Sequence, residues 1–213
     1  MTDETDPAQD EVLATLFAGY HQFRETVWPE RRKLFQALAR DGQKPRALVI
    51  SCSDSRVDPA MVFGAGPGEL FIVRNVANLV PPYKPDGDYH GTSAALEFAV
   101  RVLQVPHIIV LGHAMCGGVH ALLNGFPDAA KDFVAPWMQI ARQARARALA
   151  CDPVDPQTAC EQETVKLSLD NLMTFPWVAE RVAEGSLRLH GGTFDIRSGL
   201  LALLAGDGTF RPA

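Results

Sequence analysis

Three short apolar runs constrain the fold of this 213-residue chain more than any other feature. They lie at residues 46–51, 70–73 and 107–111, and none of them alternates apolar with polar residues. Such runs are typical of strands that are buried on both faces, as in parallel sheets. A helical pattern at 92–103 separates the second run from the third, so the order predicts parallel pairing through right-handed crossovers.

The second half of the chain continues the alternation of helices and strands. Helices are predicted at about 117–123, 136–150, 156–172 and 175–184. Residues 187–196 are predicted as a further strand, and 200–204 as a final strand or helix. We therefore predict a three-layer α/β fold, in which helices flank a central, mostly parallel sheet of about four parallel strands plus a C-terminal edge strand.

The segment before the first strand is predicted as a polar tail at 1–10 and an N-terminal helical arm at 11–41, followed by an α/β core at 42–213. Trp28-Pro29 should split the arm into two helices, because the residue before a proline avoids helical angles. The arm has many large apolar side chains, which need either the parent domain or a second subunit to cover them. They are Val12, Leu16, Phe17, Phe23, Trp28, Phe35 and Leu38.

Composition and charge argue against several classes of function. The formal net charge is −5, and the one local basic stretch, at 142–147, has the spacing of a solvated helix face, so no nucleic-acid partner is expected. No apolar run approaches the length of a membrane span, which is about 18 residues. The first residues are acidic and polar, unlike a secretory signal, and the four cysteines do not suggest a disulfide framework. We expect a cytoplasmic protein with reduced thiols.

Potential metal ligands follow two of the predicted strands. Cys52 comes directly after the first apolar run, and His113 and Cys116 come directly after the third. If those strands are neighbours, their carboxyl ends lie about 5 Å apart, so the three side chains can converge on one ion. Two thiolates and an imidazole suit zinc, and three ligands leave the fourth position open, as in catalytic sites. The alternative is two inert buried thiols and an ordinary core histidine.

Asp54 and Arg56 follow the first of these cysteines closely. Two thiolates donate more charge to a metal than imidazoles do, so a water on this ion needs a neighbour to help its ionisation. The Asp54 carboxylate can accept a hydrogen bond from that water, and Arg56 can hold the carboxylate in place and keep it ionised. The alternative is a surface ion pair in a loop.

Three separated segments resemble the signatures of β-class carbonic anhydrases. They are Cys52-Ser53-Asp54-Ser55-Arg56, Arg74-Asn75-Val76-Ala77-Asn78 and Gly112-His113-x-x-Cys116-Gly117-Gly118. The resemblance is close over residues 43–123 and looser over 189–195. It implies the reversible hydration of carbon dioxide to bicarbonate and a proton, by attack of a zinc-bound hydroxide on the substrate carbon.

The resemblance also implies roles for individual residues. It makes Cys52, His113 and Cys116 the ligands of one Zn²⁺ per chain, and Asp54 and Arg56 the catalytic pair. The substrate-binding positions of the family match Gln43, Phe71, Val76, Phe98 and Gly117. In this family a second subunit completes the pocket and is embraced by the arm helices, so the resemblance implies a homodimer or a dimer of dimers.

One position departs from some bacterial members of the family, which have an inhibitory bicarbonate pocket built from a tryptophan, an arginine and a tyrosine. Here Val49 stands at the tryptophan position, Arg74 remains, and Phe194 stands where the tyrosine is expected. We therefore predict that this pocket is absent and that Asp54 stays paired with Arg56 at neutral pH.

Three other functions are compatible with part of the pattern. The same fold and metal could hydrolyse carbon disulfide or carbonyl sulfide. A zinc-binding module without turnover is a second alternative, although it would not need Asp54 to orient a nucleophile. A sulfur-transfer or redox role for Cys52 is a third alternative, and it predicts thiol reactivity that survives chelation.

Overall fold

The computed structural model describes residues 7–213. They belong to two compact units, which divide between Gln43 and Lys44 and are described separately. The first six residues of the predicted polar tail lie outside the described residues.

The N-terminal unit is helical. Helix α1 (Pro7–Gln22) begins four residues before its predicted start, and a π-helical turn (Phe23–Val27) connects it to helix α2 (Trp28–Asp41). The arm is therefore two helices with Pro29 in the first turn of the second, as predicted, but Trp28 has helical angles (φ −59°, ψ −45°), so the chain passes from one helix to the other without a break. The Trp28 amide bonds to the carbonyl of Phe23, five residues back, and this wider turn accommodates the missing donor of Pro29 without ending the helix.

The six-stranded sheet of the second unit has the order β2-β1-β3-β4-β5-β6. Its strands are β1 (Ala47–Cys52), β2 (Leu70–Asn75), β3 (His107–His113), β4 (Arg188–Asp195), β5 (Leu200–Leu204) and β6 (Phe210–Pro212). The first four are parallel, and β5 and β6 are antiparallel. The α/β fold and the four parallel strands are confirmed. Strand β6 was not predicted, because it has three residues and contains Pro212, which is tolerated only at a sheet edge.

Seven helices of the second unit connect or flank these strands. They are α3 (Pro59–Val62), α4 (Gly91–Glu97), α5 (Gly117–Asn124), α6 (Val134–Met138), α7 (Arg142–Ala150), α8 (Pro156–Leu172) and α9 (Pro176–Ala183). A π-helical turn (Phe98–Val102) extends α4. The single helix predicted at 136–150 is two helices, because the 3-10 turn Gln139–Ala141 separates α6 from α7. Helix α6 begins at Val134, and Pro136 lies in its first turn, where a proline is tolerated.

Glycines let helix α8 lie directly on the centre of the sheet. A Cβ atom at Gly112 of β3 would lie 2.7 Å from Val165 Cγ2, and one at Gly191 of β4 would lie 3.0 Å from Val165 Cγ1. Neither position could hold a side chain unless the helix moved outward. This close packing brings the first half of α8 to the carboxyl end of β3, where the metal-binding residues are found.

Candidate metal centre

The three predicted metal ligands converge in the structure. Cys52 is the last residue of β1, His113 is the last residue of β3, and Cys116 is the N-cap of α5. Strands β1 and β3 are neighbours, as the sequence argument required. The potential ligand atoms all lie within 4.8 Å of one another, and all three residues are buried.

The orientation of the His113 ring suits metal binding. Its Nδ1 lies 2.8 Å from the carbonyl oxygen of Ala114, and because a carbonyl can only accept, Nδ1 carries the hydrogen. The lone pair is thereby left on Nε2, which is buried and has no hydrogen-bond partner within residues 7–213. An unpaired buried nitrogen is costly unless another group, such as a metal ion, satisfies it.

The two thiols strongly affect each other's ionisation. The neighbouring Cys116 thiol, the His113 ring and two backbone amides lower the pKa of Cys52 to about 4. The Cys52 thiolate and burial raise the pKa of Cys116 well above its usual range. Two thiolates this close repel each other, so a divalent cation is the group that allows both to be ionised together.

A strained turn supports the Cys52 sulfur. The 3-10 turn Val76–Asn78 follows β2, and Ala77 within it has φ +63°, in the left-handed region that disfavours a side chain. In this conformation the Ala77 amide points at Cys52 Sγ, at 3.4 Å. Two side chains fix the turn. The Asn75 amide group donates a hydrogen bond to the Leu79 carbonyl and accepts one from the Leu79 N–H, and Trp137 Nε1 donates to the carbonyl of Val76 at 2.8 Å.

Asp54 and Arg56 form the paired contact that the sequence predicted. Arg56 Nε lies 2.9 Å from Asp54 Oδ1, Nη2 lies 2.7 Å from Oδ2, and the backbone amide of Arg56 also donates to Oδ1. The guanidinium holds the pKa of Asp54 well below its usual range. Asp54 Oδ2 is 3.9 Å from His113 Nε2, so the ionised carboxylate lies beside the ligand cluster while remaining bound to Arg56.

Arg74 holds the loop that carries this pair. Its guanidinium donates to the carbonyl oxygens of Cys52, Asp54 and Val57 at 3.0, 2.6 and 2.8 Å. A loop anchored at three carbonyls by one cation positions Cys52 and Asp54 relative to each other. Arg74 was predicted only as a remnant of an inhibitory pocket, and these contacts give it a structural role.

A buried polar network lies behind Cys116. Glu161 of α8 accepts from the backbone amide of Cys116 at 2.8 Å, and Gln157 Nε2 bridges Glu161 Oε1 and the carbonyl of Cys116. Burial raises the pKa of Glu161, and its hydrogen bonds partly oppose that shift. Sequence reasoning missed both residues. One sequence feature could have identified them: Gln157 and Glu161 are polar and four residues apart, so they share one face of a helix that is predicted to pack on the sheet.

The predicted substrate-binding residues divide into two groups. Val76 packs beside Cys52 and Cys116 in one hydrophobic cluster. Phe71 instead pairs with Leu48, four residues before Cys52 on the neighbouring strand, and stacks on Phe98 with ring centroids 5.8 Å apart. Within one chain, Phe71 is therefore about 13 Å along the strands from the metal ligands, and the Phe98 ring lies beside it.

The structure shows less about the other predicted substrate-binding positions, Gln43 and Gly117. Gln43 is the last residue of the N-terminal unit, so its role stays a prediction. Close packing can require glycine at either of the first two positions of α5, Gly117 and Gly118. A Cβ at Gly118 would lie 2.8 Å from Val76 Cγ1, whereas one at Gly117 would meet no atom of the described residues within 4 Å. The steric requirement is thus met at Gly118, and Gly117 faces open space.

The sequence of the chain matches a family model described as carbonic anhydrase over residues 47–201. Beta carbonic anhydrase 3 of Arabidopsis thaliana is 34% identical over 99% of this chain and 84% of its own length. The chain belongs to the β-carbonic anhydrase family. This finding confirms the resemblance that the three separated segments indicated.

Other members of the family extend the comparison. Beta carbonic anhydrase 5 of A. thaliana, a chloroplastic protein, is 42% identical over 81% of this chain, and the match spans 58% of that protein's length, which is less than two thirds. The solved β-carbonic anhydrase CcaA has a TM-score of 0.87 and 32% identity, covering 95% of this chain and 92% of its own. A tetrameric β-carbonic anhydrase of Sordaria macrospora has a TM-score of 0.80 and 28% identity, covering 94% and 99%.

Zinc is the cofactor of β-carbonic anhydrases, and the residues of this chain fit it. Two sulfurs and one imidazole nitrogen form a donor set that zinc prefers, and Asp54, held by Arg56, is left outside that set. In residues 7–213, no helix is long and apolar enough to cross a membrane.

Proposed function

We propose that this chain catalyses the reversible hydration of carbon dioxide to bicarbonate and a proton. The observation that carries the proposal is the ionised Asp54 carboxylate, paired with Arg56 and 3.9 Å from the metal-facing nitrogen of His113. A purely structural zinc site needs no such carboxylate. The alternative of a zinc-binding module without turnover is therefore disfavoured.

Each residue of the centre has a distinct task in this proposal. Cys52, His113 and Cys116 hold the zinc ion, which when bound acts as a Lewis acid and lowers the pKa of a coordinated water. Asp54 accepts a hydrogen bond from the attacking water and thereby orients its lone pair towards the carbon of the substrate. Arg56 keeps Asp54 ionised and prevents it from turning to the metal.

The hydrophobic surroundings suit the substrate. Carbon dioxide has no net charge and no dipole, so apolar side chains can hold it near the centre without competing for its oxygens. Val76 lies beside the ligands and is assigned this role. Gly117, which opens α5 and leaves free space beside Cys116, is assigned as part of the same substrate site.

The positions of Phe71 and Phe98 support a homodimer. Both are predicted to line the substrate pocket, yet they lie far from the metal ligands of their own chain. The same residues and Gln43 of a second copy would complete the pocket. Strand β2 ends the sheet on that side, and Val12, Leu16 and Phe17 of the arm are exposed apolar residues that a second copy can cover. Because the similar S. macrospora enzyme is tetrameric, the proposed assembly of this chain extends to a dimer of dimers.

A reducing compartment such as the cytoplasm suits this centre. Cys52 and Cys116 must remain thiolates to hold zinc, and a compartment that keeps thiols reduced provides that state. We place the protein in the cytoplasm on this chemical ground.

Stopped-flow measurement of carbon dioxide hydration, together with quantification of bound zinc, tests the proposed function. The wild-type chain should bind zinc and hydrate carbon dioxide, and Cys116→Ser should lose both properties. Carbon disulfide and carbonyl sulfide are assayed in parallel for sulfide release. If zinc-loaded wild type releases sulfide but does not hydrate carbon dioxide, the proposal is wrong and the chain hydrolyses carbon disulfide or carbonyl sulfide instead.

A further inference from the structure

Two histidines meet at the end of the sheet opposite to the metal centre. His107 is the first residue of β3, and His190 is the third residue of β4. His107 Nδ1 and His190 Nε2 are 3.1 Å apart, and the ring centroids are separated by 5.2 Å at an interplanar angle of 49°. The proposed reaction uses neither residue.

The separation of these two nitrogens matches that of two ligands on one metal ion. Zinc binds histidine nitrogens at about 2.0–2.1 Å, which sets two such ligands about 3.3–3.4 Å apart in a tetrahedral site. The observed 3.1 Å differs from that by a few tenths of an ångström. Side-chain rotation can bring both lone pairs to a common point, since the contact is exposed to solvent.

The two strands hold the pair in place. The parallel register places Arg188 opposite His107, and Ile109 opposite His190, so the two rings lie diagonally across one face of neighbouring strands. Ligands on adjacent strands of a central sheet are better preorganised than ligands on loops, because the hydrogen-bonded ladder fixes both backbones. His107 is six residues before His113 on the same strand, or about 20 Å, so an ion here is independent of the catalytic one.

We propose that His107 and His190 form a second metal site, which binds a divalent transition-metal ion such as Zn²⁺ through two imidazole nitrogens, with water completing the coordination. Imidazole is a preferred ligand of zinc, copper and nickel, whereas calcium and magnesium prefer oxygen. The ion replaces the hydrogen that the two nitrogens share and links β3 to β4.

The surroundings of His190 disfavour its protonated form. Burial, His107 and Arg188 all lower the pKa of His190. A neutral imidazole offers a lone pair to a metal, whereas a protonated one does not. Two neutral ligands without a carboxylate, near the Arg188 cation, make a weaker site than the two thiolates and one imidazole of the catalytic centre. The second ion should therefore exchange readily while the first is retained.

Equilibrium dialysis of the full-length, zinc-loaded protein against increasing free Zn²⁺ tests the proposal, with metal and protein quantified after each step. Wild type should bind a second equivalent of zinc at pH 7.5. His107→Gln and His190→Gln should each lose that equivalent, because glutamine preserves the size and polarity of the side chain but is a poor zinc ligand. His21→Gln, which changes an exposed histidine of the N-terminal unit, should retain it.

Cys116→Ser separates this site from the catalytic one. It should lose the tightly held ion and keep the exchangeable ion, and both glutamine variants should keep the wild-type rate of carbon dioxide hydration. The proposal is overturned if wild type takes up no second equivalent, or if that equivalent persists in both glutamine variants. Absence of carbon dioxide hydration by wild type would remove the proposed function without affecting this result.

Discussion

Glu161 accepts a hydrogen bond from the backbone amide of Cys116 at 2.8 Å, and its carboxyl group is almost completely buried. A buried carboxylate on the long helix α8 thus fixes the position of a metal ligand on another segment. Met115, which precedes that ligand, has φ +60°, so the backbone here is strained and needs support from its surroundings.

Replacing Glu161 by alanine should destabilise both the fold and the metal centre. The change leaves the Cys116 amide without its acceptor and removes one of the two acceptors of Gln157 Nε2, at a cost of about 1–3 kcal/mol. We expect a lower free energy of unfolding and faster transfer of zinc to a chelator. Glu161→Gln keeps one acceptor oxygen and should lose less of both, and Glu180→Ala on the exposed side of α9 serves as the control. Equal zinc-release rates in all three variants would show that Glu161 does not hold the ligand.

Asp54→Asn should keep zinc but lose activity. The amide cannot accept two hydrogen bonds from Arg56 and also orient the attacking water, so the rate of carbon dioxide hydration should fall about 100-fold or more. Asp195→Asn is a matched control, because Arg197 binds Asp195 through the same three donors two residues later. The measurement is the stopped-flow rate of carbon dioxide hydration by both variants, taken together with their zinc content. An Asp54→Asn variant as active as Asp195→Asn would show that the carboxylate has no catalytic role.

Removing Arg56 should change the titration of Asp54. Arg56 lowers the pKa of this carboxyl, so the ion pair is present at neutral pH and is lost only as the pH falls through that lowered value. In Arg56→Gln the pKa should rise towards the ordinary value for aspartate of about 3.9. Carbon-13 NMR titration of the aspartate carboxyl groups measures the midpoint directly. If the titration midpoint of Asp54 is the same with and without Arg56, the Arg56 guanidinium is not what lowers the pKa of Asp54.

Alanine substitutions at the two adjacent glycines of α5 should have different effects. A Cβ at position 118 would lie 2.8 Å from Val76 Cγ1 and 3.3 Å from Ala77 Cβ, so Gly118→Ala must displace the turn that supports Cys52, at a cost of about 1–3 kcal/mol. Gly117→Ala meets no atom within 4 Å and should leave the free energy of unfolding nearly unchanged. Denaturant unfolding of both variants gives the comparison. If both variants lose the same free energy of unfolding, close packing against Val76 and Ala77 does not require glycine at position 118.

The sequence predicted the strands and the ligand set because both depend on local patterns. The apolar runs gave β1, β2 and β3 to within about two residues. Strand β1 is buried along its whole length, as such a run predicts, whereas β2 is an edge strand whose residues are half-buried or exposed. Cys52 and His113 each come at the carboxyl end of such a run, and adjacency of β1 and β3 then brings them together. The Asp54–Arg56 contact was predictable because the two residues are only two positions apart.

Other features depend on contacts between distant segments and have no local pattern. Glu161 meets Cys116 across 45 residues, and Trp137 meets Val76 across 61, so neither contact could be read from spacing. The π-helical turn before Pro29 also escaped prediction, because a proline usually ends a helix and only the wider turn lets it continue.

A crystal structure of the full-length protein at neutral pH, with anomalous data collected at the zinc edge, tests the central claim most directly. We predict one strong anomalous peak bound by Cys52, His113 and Cys116, with a solvent molecule as its fourth ligand and Asp54 still paired with Arg56. The His107–His190 pair should show a second peak only in crystals soaked with excess zinc. A Cys52–His113–Cys116 cluster without zinc, or one whose zinc has Asp54 as the fourth ligand, would contradict the account.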